Sequence, residues 1–225
     1  MGKELQSLAK KEFGRYFQGK PVLVSRGDSL TPLLRTHLVI DFSSPDSLSS
    51  LLQSAIKSSE SLPVFVIGTT GLNDSQNKLV QKLSKKTAVL CSPNFSIGVQ
   101  ALIQFLHSAS PLLEKLGYRS MKLTETHHTQ KKDAPSGTAL YLEKELKKSF
   151  PAIKTKIKSI REGSVVGFHE IEFEGAGENL ILGHRALDRS IFARGALLAG
   201  LWLATKRTNQ QNLAGYFSMS DYLKS

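Results

Sequence analysis

The chain has 225 residues, 40% of them hydrophobic and 22% charged, enough for one compact unit or two small domains around a buried core. It contains no run of about eighteen apolar residues and no apolar secretory leader, so a membrane span is excluded and a cytoplasmic protein is expected. The net charge of +11 is spread along the whole chain without a basic arm or an aromatic-interleaved patch. That distribution does not favour nucleic acid; small anions such as phosphates or dicarboxylates fit the charge equally well, with a merely solvated basic surface as the plain alternative.

Leu5, Leu8, Ala9 and Phe13 fall at helical spacing and predict a helix over Gly2 to Phe13. Pro21 to Ser25 (P-V-L-V-S) reads as a strand, as does Leu38 to Phe42 (L-V-I-D-F). Ser44-Pro45-Asp46 opens a helix with an N-cap serine, a proline at the first position and an acid in the first turn. Leu48, Leu51, Leu52 and Ile56 form its apolar stripe. Pro63 to Ile67 is a further strand, stopped by Gly68-Thr69-Thr70-Gly71. A helix over Asp74 to Lys85 and a strand over Thr87 to Cys91 follow, and Cys91 is expected to be buried and inert. Continuously apolar strands alternating with helices indicate a parallel sheet covered on both faces, an α/β architecture.

After Asn94-Phe95-Ser96 the pattern changes. A long helix is expected over Ile97 to Leu116, bent near Pro111, then a strand over Met121 to Thr126. Beyond a helix at Leu140 to Phe150, strands are expected at 154–161, 168–174 and 179–184. The middle one alternates Phe168, Glu170, Glu172 and Glu174 against His169, Ile171 and Phe173, so one face is wet. The turn at Ala176 to Asn179 makes the last two strands a hairpin. Arg194 to Lys206 is an apolar helix that returns to the first domain. The expected division is a dinucleotide-binding domain over residues 1–96 plus 188–225 and an inserted α+β substrate-binding domain over 97–187.

The segment from Glu125 to Ala139, E-T-H-H-T-Q-K-K-D-A-P-S-G-T-A, packs two histidines, lysines, an aspartate and a Pro-Ser-Gly-Thr turn before a helix N-terminus. Such a set suits a site that holds an anion and moves a proton. A charged surface loop that caps a helix accounts for the same residues.

This segment closely resembles the signature of the dihydrodipicolinate reductase (4-hydroxy-tetrahydrodipicolinate reductase) family, E-x-H-H-x-x-K-x-D-A-P-S-G-T-A, at every specified position. I-D-F-S at 40–43, G-T-T-G at 68–71, N-F-S-I-G at 94–98, R-E-G at 161–163 and the helix around Trp202 join it in the same order. The resemblance implies a Rossmann-like fold and NAD(P)H-dependent reduction of a cyclic dicarboxylated imine in lysine and diaminopimelate synthesis. It also implies a homo-oligomer, a tetramer in the family. His127 and Lys131 match the catalytic proton donors. His128, Ser136, Gly137 and Thr138 match substrate-binding positions. Phe42, Gly68, Thr69, Thr70, Ser92, Pro93, Asn94 and Phe95 match cofactor-binding positions. A strand carries adjacent side chains to opposite sides, so His127 and His128 are not expected to share a metal, and no metal is expected.

The family opens with a strand and G-x-x-G-[RK]-M-G, the pyrophosphate cradle. Met1 and Gly2 align with the last two residues of that loop, so the first strand and leading glycines are absent from this sequence. An upstream translation start is the expected reason; a degenerate, non-catalytic paralogue that binds a dicarboxylate or nucleotide is the alternative. At the tip of the second family strand stand Ser25 and Arg26, with Asp28 only later. A serine and an arginine suit a 2′-phosphate, which predicts NADPH as the preferred cofactor, with NADH also accepted.

Overall fold

A computed structural model describes every residue except Gln18, Lys20, Arg26 and Arg119. The contacts divide the chain into two units, Met1–Phe95 with Phe192–Ser225, and Ser96–Ile191.

The first unit opens with α1 (Gly2–Lys11) and a single-turn α2 (Thr31–Leu34), followed by β1 (Leu38–Asp41), α3 (Pro45–Lys57), β2 (Val64–Ile67), α4 (Asp74–Ser84) and β3 (Ala88–Cys91). The three strands pair in parallel, β1 with β2 and β2 with β3. Every residue of β2 is buried, as a strand covered on both faces must be. Ser44 caps α3 by accepting from the Ser47 N–H, with Pro45 in the first turn. Asn73 and Gln76 form a capping box on α4. Leu48, Leu51, Leu52, Phe65, Ile67, Val80 and Leu83 pack into one core.

The second unit carries α5 (Ile97–Lys115), β4 (Ser120–His127), α6 (Gly137–Ser149), β5 (Lys154–Arg161), β6 (Gly167–Glu174) and β7 (Asn179–Ala186). Its sheet order is β5-β4-β6-β7, with β4 parallel to β5 and antiparallel to β6, and β6 and β7 a hairpin. One face of this sheet packs Met121, Leu123, Ile171 and Phe173 against Leu106, Leu142, Leu146 and Phe150. The α5 helix runs through Pro111 as one element.

The chain then continues through α7 (Ser190–Asn209), β8 (Gly215–Phe217) and α8 (Met219–Leu223). In the first unit β8 pairs in parallel with β3, giving the order β1-β2-β3-β8. Ala193 and Leu197 of α7 pack against Leu8 and Ala9 of α1 and Phe13 just beyond it. Gly195 lies directly on Phe95, where a Cβ would sit 1.8 Å from the carbonyl oxygen.

The strand expected over Pro21 to Ser25 does not form. Its apolar residues have no sheet neighbour among the described residues, and Val22 and Leu23 are about half exposed. A lone extended segment cannot satisfy its backbone through a ladder. No helix of the described residues is long and apolar enough to cross a membrane.

Candidate active site

The alternation of β4 sends Glu125 and His127 to the packed face of the second unit's sheet, and both are buried. Register places Ser159 of β5, Glu125 of β4, His169 of β6 and His184 of β7 in one inward row across the sheet. The next position on β4, His127, pairs with Arg161 of β5. Polar side chains thus occupy the end of a face that is otherwise apolar. Buried polar groups need partners, and these find them in one another.

Arg161 is the hub. Its guanidinium donates to Glu125 Oε1 at 2.9 Å and to the carbonyl of Lys131 at 3.3 Å, and it also donates to the carbonyl of Asp133. It thereby ties the end of β5 to the loop that follows β4. The other carboxylate oxygen, Glu125 Oε2, forms an ion pair with His127 Nδ1. Burial alone would raise the Glu125 carboxyl, but Arg161, the Ser159 hydroxyl and His127 together hold it below the ordinary range. Burial pushes His127 below the usual imidazole value, Glu125 pushes it back up, and Lys131 and Arg161 press it down again. The net direction is down for both members of the pair. For His127 desolvation and the two cations together outweigh the carboxylate beside it.

His169 packs edge-on to His127, the ring centroids 5.1 Å apart, and its Nε2 lies 3.3 Å from the Ser136 hydroxyl. Its burial and the neighbouring His127 depress it to about 4. Ser136 is the N-cap of α6, accepting from the Ala139 N–H at 3.2 Å. Gly137 and Thr138 open the helix, and a Cβ on Gly137 would meet open space. The start of a 13-residue helix therefore presents backbone N–H groups beside the histidine pair, an arrangement that draws a carboxylate. Lys131 is paired with Asp133, its Nζ 2.7 and 2.8 Å from the two carboxylate oxygens. The lysine holds Asp133 below the usual carboxylate range. His128 lies just past the end of β4, half-buried, where its carbonyl accepts from the Lys131 N–H.

Glu125, His127 and His169 also offer three metal-type ligand atoms within 4.8 Å of one another. Two cations already address this cluster. Arg161 holds Glu125, and the charge of Lys131 is felt at both histidines. The carboxylate of this cluster is thus already engaged by a guanidinium and an imidazole.

In the first unit, the carboxyl ends of β1, β2 and β3 bring a second set of expected residues together. Asp41 is buried at the end of β1, and its carboxylate accepts from the Ser43 hydroxyl at 2.6 Å and the Thr69 hydroxyl at 2.5 Å. The Phe42 ring lies on Gly68 and meets Phe95 edge-on at 5.5 Å between centroids. Ser92 and Asn94 close a tight turn, the Ser92 hydroxyl donating to the Asn94 carbonyl at 2.7 Å. Thr70 and Pro93 are exposed beside them. Loops at this edge of a parallel sheet are where nucleotides bind in such folds, and the residues present fit a nicotinamide cofactor. Other members of the expected set have different neighbours. Met1 and Gly2 open α1, with Gly2 against Leu23. The Ser25 N–H donates to Asp28 at 2.8 Å. Arg26 lies outside the described residues.

Residues 2–95 match the family model for the N-terminus of dihydrodipicolinate reductase, and residues 98–223 match the model for its C-terminus. The chain belongs to the dihydrodipicolinate reductase family. Among relatives of this reductase family, the 4-hydroxy-tetrahydrodipicolinate reductase of Rickettsia bellii is 41% identical, over 84% of this chain and 76% of the relative. That of Wigglesworthia glossinidia brevipalpis is 35% identical, over 95% and 80%. A solved dipicolinate-bound dihydrodipicolinate reductase from Paenisporosarcina sp. TG-14 superposes with a TM-score of 0.66 at 21% identity, covering 84% of this chain and 76% of that one. At that identity it bears on the fold, which is Rossmann-like. The chain is accordingly an oxidoreductase of a family and fold that use a nicotinamide cofactor, NAD(P)H.

Several residues central to this geometry carried no role in the sequence reading. Glu125 and Arg161 were visible only as letters of motifs. His169 had a signal, since the alternation of β6 set a histidine on the same face as Ile171 and Phe173, and a histidine on an apolar row needs a partner. Asp41 had only the weaker one of an acid ending an apolar strand.

Proposed function

We propose that the chain reduces 4-hydroxy-tetrahydrodipicolinate to tetrahydrodipicolinate in lysine and diaminopimelate synthesis in the cytoplasm. One observation carries the reading to this substrate class. A buried, glutamate-paired imidazole, His127, stands in one unit with the open N-terminus of α6. The reduction consumes one hydride and one proton and releases one water. The nicotinamide cofactor supplies the hydride when bound. The chain's own residues then have two tasks, to hold a dianion and to deliver the proton.

Ser136, Gly137 and Thr138 take a substrate carboxylate at the start of α6, with His128 and Lys131 as further donors. Lys131 exchanges Asp133 for a substrate carboxylate, trading one anion for another of the same geometry. His127 serves as the acid. Its imidazole is depressed by burial, and an arriving dianion raises it again, so protonation and substrate binding favour each other.

In the first unit, Phe42, Gly68 to Thr70 and Ser92 to Phe95 hold the nicotinamide half of the cofactor, and Met1, Gly2, Ser25 and Arg26 its phosphate-bearing half. Ser25 and Arg26 favour NADPH over NADH, with Asp28, which accepts from the Ser25 N–H, as the acid that weighs the other way. The domain boundaries follow the two units, the first for dinucleotide and the second for substrate.

The open face of the second unit's sheet supports a homo-oligomer. Lys154, Lys156 and Lys158 form a row on β5, while Glu170, Glu172 and Glu174 form a row on β6, where Glu172 also pairs with Lys122 of the same chain and Glu174 accepts from Ser120. Two copies can set one row against the other across a twofold axis.

The direct test follows NADPH absorbance with substrate generated from pyruvate and aspartate semialdehyde. Substrate-dependent oxidation, with a higher kcat/KM for NADPH than for NADH, is expected. H127A and K131A are each expected to lower kcat by about 10²–10⁴-fold while the protein stays folded. Unchanged kcat in both overturns the site assignment.

A further inference from the structure

We propose that Glu125, clamped by Arg161, is the positioning residue of His127: it fixes the ring so that Nδ1 faces the carboxylate and Nε2 is the atom that exchanges the proton.

The geometry is specific. Glu125 is fully buried, one of its oxygens is taken by Arg161 at 2.9 Å, and the other abuts His127 Nδ1. Neither Glu125 Oε2 nor His127 Nδ1 has any other hydrogen-bonding neighbour among the described residues. Each atom would be a buried orphan without the other. A carboxylate held at this spot selects the tautomer with the proton on Nδ1, as a positioned acid does for any imidazole it faces. On the far side of the ring, Gly167 leaves Nε2 uncovered. A Cβ there would come within 3.2 Å of it.

The groups facing His127 come from four segments. Glu125 shares its strand, Arg161 stands on β5, His169 on β6, and Lys131 in the following loop. Three of these carry or can take positive charge. Only Glu125 carries negative charge, so it alone opposes the depression of His127 by burial and by the cations. Arg161 keeps that carboxylate ionised and immobile. The three residues act in series: the guanidinium holds the carboxylate, and the carboxylate holds the imidazole.

This inference rests on the reading of His127 as the proton donor. The test compares wild-type protein with E125Q and E125D, after thermal melts establish which variants are folded. Two readouts are used. In steady state, E125Q should lose kcat on the order of 10- to 100-fold with KM for the substrate changed little. The pH at which kcat falls on the alkaline side should move down by about one unit, because the remaining neighbours all oppose the imidazolium. E125D should recover part of the loss. In isotope-labelled protein, proton–nitrogen correlation spectra should show the His127 proton on Nδ1 in the wild type, and a lower titration midpoint or mixed tautomers in E125Q. A folded E125Q with wild-type kcat, pH profile and His127 tautomer overturns the inference. If E125Q does not fold, E125D takes its place, and an unmoved His127 midpoint and tautomer there overturn it equally. If the wild type oxidises no NADPH with this substrate, the functional reading fails, and the spectra alone decide the role of Glu125.

Discussion

Gly167 of β6 lies against the His127 imidazole so closely that a Cβ at this position would come 3.2 Å from Nε2 and 3.5 Å from Cδ2. G167A keeps the strand's backbone but presses a methyl group on the nitrogen that the proposed proton transfer needs free. We expect kcat to fall by about tenfold or more, as for a displaced acid–base group, with a thermal melt close to wild type. A G167A enzyme with full kcat would mean that the proton leaves from another atom.

Gly68 makes the corresponding demand in the first unit. A Cβ there would fall 2.3 Å from Cε1 of Phe42, inside the ring's own contact distance. In G68A the ring must turn away, and with it the edge contact to Phe95 at the carboxyl end of the sheet. KM for the nicotinamide cofactor should rise several-fold, while KM for the dicarboxylate changes little. Equal effects on both would show that the Phe42 cluster does not address the cofactor.

Acid should destabilise the protein in two stages, and the sign follows from the direction of each shift. His169 is depressed to about 4 in the folded state. Between that pH and its unfolded value near 6.5 the unfolded chain binds a proton that the folded chain refuses, so stability falls as pH drops through this window, by roughly 3 kcal/mol when complete. His127 and His184 are depressed as well and add in the same direction. The carboxyls of Glu125 and Asp133 are lowered too. Their contribution is present above the unfolded carboxyl value and is lost as pH falls through the lower folded one. Urea titrations at stepped pH should show the first decline beginning below about 6.5. H169Q, which keeps a hydrogen-bonding partner for Ser136, should flatten it in part.

G195A should be the most damaging of the glycine substitutions. Its methyl would overlap the Phe95 carbonyl oxygen at 1.8 Å, and backbone cannot rotate aside as a side chain can. Overpacking of this kind costs on the order of 1–3 kcal/mol or more, which for a chain of this length lowers Tm by several degrees. Differential scanning calorimetry of the variant against wild type measures it. An unchanged Tm would mean that α7 shifts freely against the loop after β3.

Much of this architecture could be read from residue order, and for identifiable reasons. Ser44-Pro45-Asp46 and the spaced leucines after it specify α3 through local chemistry alone, and the structure shows that cap. The wet and dry faces of β6 follow from strict alternation. What escaped was tertiary. Pro21 to Ser25 has the composition of a strand but no paired neighbour, and composition cannot supply one. β8 spans three residues, Gly215–Phe217, too few for any periodicity. At the site, the signature segment singles out His127 and Lys131 as candidates at once. Arg161 lies 36 residues from Glu125, and only the β4–β5 register shows that its guanidinium reaches back to that carboxylate and to the loop.

The sheet of the second unit has one further consequence. The alternation that buries Ile171 and Phe173 of β6 also buries His169, and the same rule on β4 turns Glu125 and His127 inward beside Leu123. A slip of one residue along β6 would carry Glu170, Glu172 and Glu174 into the apolar interior and His169 out to water. Each carboxylate so buried costs several kcal/mol, and the three together are comparable with the whole stability of an ordinary domain, about 5–15 kcal/mol. Misregistered forms with a scrambled site are therefore not available as folded species. In this half of the molecule the register that forms the apolar core is thus the same one that sets Glu125, His127 and His169 side by side.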